Sequence, residues 1–187
     1  MSMPSRDVWK HGSGRLLHDL LSSALLSLLL PGSEGRPLYF ASPWMSDFVL
    51  TTNAAREVAD LFPEQEDQDR IGFLEFLGAV AVRHDVRIIT VSNRTSDAFL
   101  ERLRPVALRA EGALHARLAP QETHEKGILT PGFYIDGSMN ITHMGVHVNG
   151  EKITYHASDG VDDSRIATAY LEFDRRWRLL EGAEVRW

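Results

Sequence analysis

The stretch HEKGILTPGFYIDGSMN, residues 124–140, predicts a β-hairpin with an unusual set of polar side chains. Its apolar runs, 126–129 and 133–136, are separated by Pro131 and Gly132, and a Pro-Gly pair between two such runs is typical of a turn. An imidazole and an ammonium stand before the turn, and a hydroxyl and a carboxamide follow it. The hairpin is therefore expected to hold four chemically different groups within a short length of chain.

These four groups suit phosphoryl transfer. Histidine acts near neutral pH as a nucleophile or as a proton carrier, which makes His124 a candidate for either role. Lys126 follows two residues later, and side chains two apart in a strand point to the same face. Ser138 and Asn140 repeat this spacing and offer neutral hydrogen-bond donors. Each residue alone is more often structural, but the set predicts a nucleophile, a cation and donors around one phosphate.

The remainder of the chain alternates between helical and strand patterns. The predicted helices are 14–30, 69–84, 96–111 with Ser96 as its cap, and a last helix that begins at Asp162 or Asp163. The additional predicted strands are 37–42, 86–92, 113–119 and 151–156. This order predicts an α/β sandwich in which helices flank a mixed β-sheet. The length of 187 residues fits a single domain, 1–187.

Composition restricts the class of protein. The chain is 43% hydrophobic and 25% charged, as ordinary globular proteins are, and it has no cysteine for disulfides or thiolate chemistry. The apolar run 20–30 is shorter than the roughly 20 residues that span a bilayer, so we expect a buried helix in a cytoplasmic protein without membrane contact. The net charge of −6 argues against a DNA-coating protein but permits a nuclease with a local basic cleft.

The residues just described resemble a known signature. HEK followed by GSMN is similar to the HxK…GSxN signature of the phospholipase D superfamily. The following ITHMGVHVNGE resembles the superfamily's later Asn-x-Glu element through Asn149 and Glu151, and LYFASPW resembles its first core strand. Within the superfamily, the segments SPWMSDF and GSMNIT most resemble short members with a single HxK motif, of DpdK type. These members are encoded with bacterial 7-deazapurine DNA-modification clusters. The resemblance implies a phospholipase D-like sandwich.

The resemblance also implies a role for each site residue. His124 would attack phosphorus and form a phosphohistidine, Lys126 and Asn140 would hold the non-bridging oxygens, and Ser138 would assist. Glu151 would accept a hydrogen bond from the second imidazole nitrogen and fix its tautomer. A second histidine must protonate the leaving oxygen, and the chain has one HxK motif. A two-fold homodimer would supply it from a second copy.

Two classes of function remain open on this basis. The first is a metal-independent phosphodiesterase without cofactor, a nuclease acting on DNA within a bacterial modification, restriction or defence system. The second is a catalytically degenerate subunit that binds DNA or partner proteins. Pro131 motivates the second, because it stands where the superfamily usually has an aspartate. A lipid-cleaving enzyme is less favoured, since no membrane-binding segment is present.

Several other residues are candidate ligands. His143 and His147 stand four residues apart, as two zinc ligands on a helix can, and His156 follows. Gly145 interrupts this segment, so no metal site is predicted. Arg94 follows the end of a predicted strand and is equally well explained as a phosphate contact or as an ordinary surface arginine.

Overall fold

A computed structural model of the chain describes residues 5–10, 15–32, 35–52, 61–62, 69–158 and 164–187. The strands are β1 (Ser5–Trp9), β2 (Leu38–Ala41), β3 (Val49–Thr52), β4 (Arg70–Gly72), β5 (Val86–Val91), β6 (Leu114–Ala119), β7 (Gly127–Leu129), β8 (Phe133–Gly137) and β9 (Lys152–Ala157). The helices are α1 (Leu16–Leu26), α2 (Phe73–Ala81), α3 (Arg94–Arg109) and α4 (Ser164–Leu179), with a 3-10 turn at Ser27–Leu29 and a π-helical segment at Met144–Val148, here named the π-segment.

Seven strands form one mixed sheet in the order β1-β9-β8-β7-β2-β5-β6, and β3 pairs with β4 apart from it. β2, β5 and β6 are parallel, whereas β7, β8, β9 and β1 continue the sheet in antiparallel pairs. Parallel neighbours require long crossover connections, and α2 and α3 lie in those connections. The predicted α/β fold with a mixed sheet flanked by helices is confirmed.

Both faces of the sheet are covered, as the apolar sequence of β2 requires. All four residues of β2 are buried, and successive side chains point to opposite faces. Phe40 contacts Phe73 of α2 at 5.7 Å between ring centroids, while Tyr39 contacts Phe173 of α4 at 5.3 Å. Burial of each such ring stabilises the fold by about 1.5–3 kcal/mol. The first face is shared by α1, α2 and α3, and the second is covered by α4.

The second predicted helix begins later than expected. Residues 70–72 form β4 instead, because they pair with β3 from a distant part of the chain. The helix starts at Phe73, where the Glu75 carboxylate accepts a hydrogen bond of 2.9 Å from the backbone N–H of Gly72. At residues 70–72, pairing with β3 therefore prevails over the local helical pattern of the sequence.

The cap of α3 is Asn93, and the prediction of Ser96 as the cap was wrong. The Asn93 carboxamide oxygen accepts hydrogen bonds from the backbone N–H groups of Thr95 and Ser96, both at 3.1 Å. Its amide nitrogen donates to the carbonyl of Pro43 at 2.9 Å, and the Ser96 hydroxyl donates to the same carbonyl at 3.1 Å. These bonds fix the start of α3 against the segment that follows β2.

The last predicted helix is confirmed as α4, and its apolar side is buried through Ile166, Tyr170, Phe173 and Trp177. The predicted caps at Asp162 and Asp163 lie outside the described residues. No helix in the described part of the chain is both long and apolar enough to cross a membrane.

Candidate active site

The predicted site residues lie along one border of the sheet, where five adjacent strands begin or end. Gly127, the first residue of β7, pairs with Ala41 of β2 on one side and with Asp136 of β8 on the other. Lys126 precedes Gly127 and Ser42 follows Ala41, so both lie just beyond the paired region. This edge, formed by the ends of β2, β7, β8, β9 and β1, is named the site edge.

Backbone hydrogen bonds continue the site edge through β8, β9 and β1. The N–H of Ser138 donates to the carbonyl of Lys152 at 2.9 Å, and the N–H of Lys10 donates to the carbonyl of Glu151 at 2.8 Å. Adjacent strands lie about 4.8 Å apart, so β7 and β9 are separated by about 10 Å. Long side chains from these strands can therefore reach one ligand.

His124 and Lys126 lie in the loop that connects β6 to β7. The His124 side chain is exposed and makes no hydrogen bond with any residue that the structure describes. The Lys126 ammonium donates to the carbonyl of His124 at 2.6 Å and forms no ion pair within the described ranges. Glu125 between them forms an ion pair with Arg176 of α4. Glu125 is therefore held toward α4.

Ser138 connects β8 to β9 at the site edge. Its hydroxyl donates to a Glu151 carboxylate oxygen at 2.5 Å and accepts a hydrogen bond of 3.1 Å from the backbone N–H of Lys152. Gly137 precedes it with φ of +140°, and a Cβ there would overlap the Lys152 carbonyl oxygen and lie 2.9 Å from the Ile153 Cα. The glycine of the GSMN stretch is thus needed for Ser138 to reach this position.

Asn140 lies beside the end of β2. Its carboxamide oxygen is 3.3 Å from the hydroxyl of Ser42, which also donates to the Trp44 carbonyl at 2.7 Å. The same hydroxyl accepts a hydrogen bond of 3.1 Å from the backbone N–H of Ile141. Ser42 was not predicted as a site residue, although it ends the strand whose LYFASPW sequence is similar to the superfamily's first core strand.

The π-segment follows Asn140 and turns back toward β9. Gly145 contacts the backbone of Asn140 so closely that a Cβ would overlap the Asn140 carbonyl. The buried ammonium of Lys10 donates to the Val146 carbonyl at 2.9 Å. Burial lowers the pKa of Lys10, and the carboxylate of Glu151 opposes this shift. Sequence reasoning missed Lys10, because β1 was not predicted.

Arg94 and Asn149 border the site edge. Arg94 is the first residue of α3, three residues after the end of β5, whose Ile89 pairs with Ala41 of β2. Its side chain is exposed and forms no ion pair among the described residues. Asn149 is also exposed. Its backbone N–H donates to the Met144 carbonyl at 2.7 Å, and this hydrogen bond closes the end of the π-segment.

The histidines beyond His124 do not form a metal site in the described residues, which contain no suitable group of three or more His, Cys, Asp or Glu side chains. His143 and His147 are in ring contact at 4.8 Å between centroids. His156 is buried on the α4 side, 2.7 Å from an Arg165 nitrogen and 3.6 Å from an Asp136 oxygen.

Pro131 lies in the turn between β7 and β8, at the end of β7 opposite Lys126. Five residues of extended chain separate the two positions, which corresponds to about 17 Å. Thr130 before it accepts a hydrogen bond of 2.9 Å from the backbone N–H of Phe133 and closes the turn. Pro131 stands where the phospholipase D signature usually has an aspartate, and this position is therefore remote from the site edge.

The site edge combines groups with complementary chemistry. It offers an exposed imidazole, the ammonium of Lys126, the hydroxyl of Ser138 and the carboxamide of Asn140, with the Glu151 carboxylate bonded to Ser138. Cations and neutral donors of this kind bind a phosphate and stabilise the charge that develops when it is attacked. Such an arrangement is suited to displacement at phosphorus.

No protein-family model matches the sequence, and no curated protein matches it either. Solved structures do resemble it. The phospholipase D family member Nuc from Salmonella typhimurium has 15% identity and a TM-score of 0.57 over 100% of this chain and 99% of that one. NucT from Helicobacter pylori has 13% identity and a TM-score of 0.54 over 100% of both chains. Phosphatidylserine synthase from Haemophilus influenzae has 15% identity and a TM-score of 0.50 over 92% of this chain and 38% of its own. The chain therefore has a phospholipase D-like fold.

Proposed function

We propose that the chain is a metal-independent phosphodiesterase that cleaves DNA through a phosphohistidine on His124. The observation that supports this most directly is the site edge, where Lys126, two residues after His124, and the Ser138–Glu151 pair lie at the ends of adjacent and next-adjacent strands. A ring nitrogen of His124 attacks phosphorus, the P–O bond to the leaving group breaks, and a second imidazole protonates the leaving oxygen. Water then hydrolyses the N–P bond.

The other site residues have separate roles in this proposal. Lys126 and Asn140 bind the non-bridging oxygens, where the ammonium stabilises the negative charge of the phosphate. Glu151 orients the His124 ring when substrate displaces its bond to Ser138, and Ser138 then donates to the phosphate. Asn149 and Arg94 contact phosphates that flank the scissile one. Each role uses a donor or acceptor that the side chain possesses.

The remoteness of Pro131 favours this proposal over a degenerate binding subunit. An aspartate about 17 Å from Lys126 would touch neither substrate nor the reacting histidine. Its replacement by proline therefore leaves every group of the site edge in place. If the protein binds DNA but cleaves no phosphodiester, the binding-subunit alternative is correct instead.

The proposed chemistry needs no metal ion, because the nucleophile is an imidazole and not a metal-bound hydroxide. We expect cleavage of a chromogenic phosphodiester and of labelled single-stranded DNA to continue at an unchanged rate in excess EDTA. His124→Asn protein is the matched control for contaminating nucleases. Loss of activity with EDTA and its recovery with magnesium or zinc would contradict the proposal.

A homodimer supplies the second imidazole in this proposal. Apolar side chains surround the site edge, and Trp44, Met144 and Val148 are 54%, 52% and 48% exposed. Exposed apolar groups around a polar centre are typical of surfaces that bind another protein. A two-fold axis through the site edge would cover them and place the His124 rings of two copies across one phosphate.

Mixing experiments test the shared site. Light scattering should give about twice the chain mass of 21.0 kDa. After subunit exchange with an equal amount of His124→Asn protein, activity per wild-type subunit should fall to about half, since each mixed dimer lacks one of the two rings. Exchange with a His115→Asn protein should leave it unchanged. A monomer with full activity would contradict the shared site.

For the cellular setting, we propose a cytoplasmic protein of a bacterial DNA-modification, restriction or defence system that acts with other proteins of that system. The similarity of SPWMSDF and GSMNIT to the DpdK-type members supports it. Comparison of cleavage rates on 7-deazapurine-modified and unmodified DNA of one sequence tests it, because equal rates would argue against recognition of the modification.

A further inference from the structure

A concave surface lies between α1 and β3, with the π-segment at one side. It is named the α1 groove, and it has a volume of about 640 Å³, within the range of roughly 300–1,000 Å³ found for ligand sites. Of its eleven described lining residues, Leu26, Val49 and Val146 are apolar and the other eight have polar side chains, among them Arg15, His18, Asp19, Ser22 and His147.

One wall is a single face of α1. Arg15, His18 and Ser22 follow one another at spacings of three and four residues, which places them in a row along the helix. The Arg15 side chain is exposed and makes no ion pair with any residue in the described ranges. Its guanidinium is therefore available to an anion in the groove.

The groove also contains two imidazoles in contact. The rings of His18 and His147 lie 4.7 Å apart between centroids, and their Nε2 atoms lie 3.3 Å and 3.2 Å from the Val49 carbonyl oxygen. A carbonyl oxygen only accepts hydrogen bonds, so both rings present Nε2–H to it. The Nδ1 of His147 is then left to take up a proton, and the Nδ1 of His18 lies 3.2 Å from an Asp19 carboxylate oxygen.

These features indicate an anionic ligand. The Nε2 atoms are occupied by Val49, so they are not available to a shared metal ion. Burial lowers the pKa of His147, and the neighbouring His18, His143 and Lys10 lower it further, because each disfavours another positive charge. An anion in the groove would relieve this repulsion. Asp19 is the only carboxylate among the described lining residues.

We propose that the α1 groove binds a phosphate of the DNA strand outside the scissile position, an inference that rests on the proposed function. The groove and the site edge share the π-segment: His147 faces the groove, and Lys10 reaches the Val146 carbonyl from beside Glu151. The eleven residues of α1 extend for about 16 Å. This length suits an extended polyanion better than a single small ion.

Binding of a labelled single-stranded oligonucleotide to non-cleaving His124→Asn protein tests the inference. At pH 6, adding Arg15→Gln or His147→Gln should raise Kd about five- to tenfold. Arg15→Gln should also reduce the slope of log K against log salt by about 0.7, as expected when one phosphate contact to a single strand is lost. Arg104→Gln, which changes an exposed arginine on α3, is the matched control and should have no effect.

Proton uptake gives an independent readout. DNA should raise the pKa of His147, so affinity should fall as pH rises through the range in which that ring loses its proton. Among the described residues, the charged or titratable groups around it are Arg15, His18, Asp19, His143 and Lys10. Histidine NMR of His124→Asn protein with and without oligonucleotide measures this shift. An unchanged His147 titration would overturn the inference.

The outcomes separate the groove from the catalytic proposal. If Arg15→Gln and His147→Gln bind like the control, the groove inference is overturned, whether or not His124-dependent cleavage occurs. If the wild-type protein cleaves nothing but binding still depends on both residues, the catalytic proposal fails and the groove inference is supported. If His147→Gln does not fold, Arg15→Gln decides the question, because Arg15 is exposed.

Discussion

Replacement of His124 by asparagine is expected to lower the rate of phosphodiester cleavage by about four orders of magnitude or more, since the nucleophile itself is removed. That loss corresponds to about 5.5 kcal/mol of transition-state stabilisation. Initial rates on a chromogenic phosphodiester and on labelled single-stranded DNA measure it. The exposed His124 side chain makes no hydrogen bond within the described chain, so the variant should unfold at the wild-type temperature.

His115→Asn is the matched control for this experiment. His115 is half exposed, but it lies near the start of β6, and the parallel strands run from there toward the site edge. The substitution should leave the cleavage rate within about twofold of wild type, as is usual for surface changes away from a site. Comparable activity in His124→Asn and His115→Asn would exclude His124 as the nucleophile.

Gly137→Ala should destabilise the fold by about 3 kcal/mol and also reduce activity. The residue has φ of +140°, and its Cβ would overlap the Lys152 carbonyl oxygen, so strain and overpacking combine. Relief of that overlap must move β8 from β9, which separates Ser138 from Glu151. Urea unfolding measures the stability, and cleavage rates measure the displacement of the site.

Gly132→Ala is the control for Gly137→Ala. Nothing lies within 4 Å of a Cβ at Gly132, in the turn at the other end of β8. We expect its free energy of unfolding to change by less than about 1 kcal/mol and its activity to remain. Equal stability of the two variants would show that β8 and β9 tolerate a side chain at residue 137, contrary to this account.

The hairpin and the main sheet could be predicted from local patterns. Runs of apolar or alternating residues indicate a strand whichever strand it pairs with. Such runs contain β2, β5, β6, β7, β8 and β9. The spacing of the HEK and GSMN residues also predicts that His124, Lys126, Ser138 and Asn140 contribute to one site. The pairing of β7 with β8 places Lys126 and Ser138 just beyond the neighbouring ends of these two strands, as a hairpin requires.

Elements that depend on distant contacts were missed. β1 has the polar sequence SRDVW and is a strand because β9 pairs with it, so nothing local identified Lys10 as a neighbour of Glu151. β4 was mistaken for helix, since its pairing with β3 lies outside any local window. The contact between His18 and His147 joins residues 129 positions apart in sequence, and no spacing rule relates them.

The most direct test of the account is identification of the covalent intermediate. Wild-type protein mixed with excess ³²P-labelled phosphodiester and quenched in alkali within milliseconds should contain acid-labile label on the peptide with His124. His124→Asn protein should contain none, and His115→Asn protein should be labelled like wild type. Label on another residue, or rapid cleavage without any labelled protein, would contradict a phosphohistidine at His124.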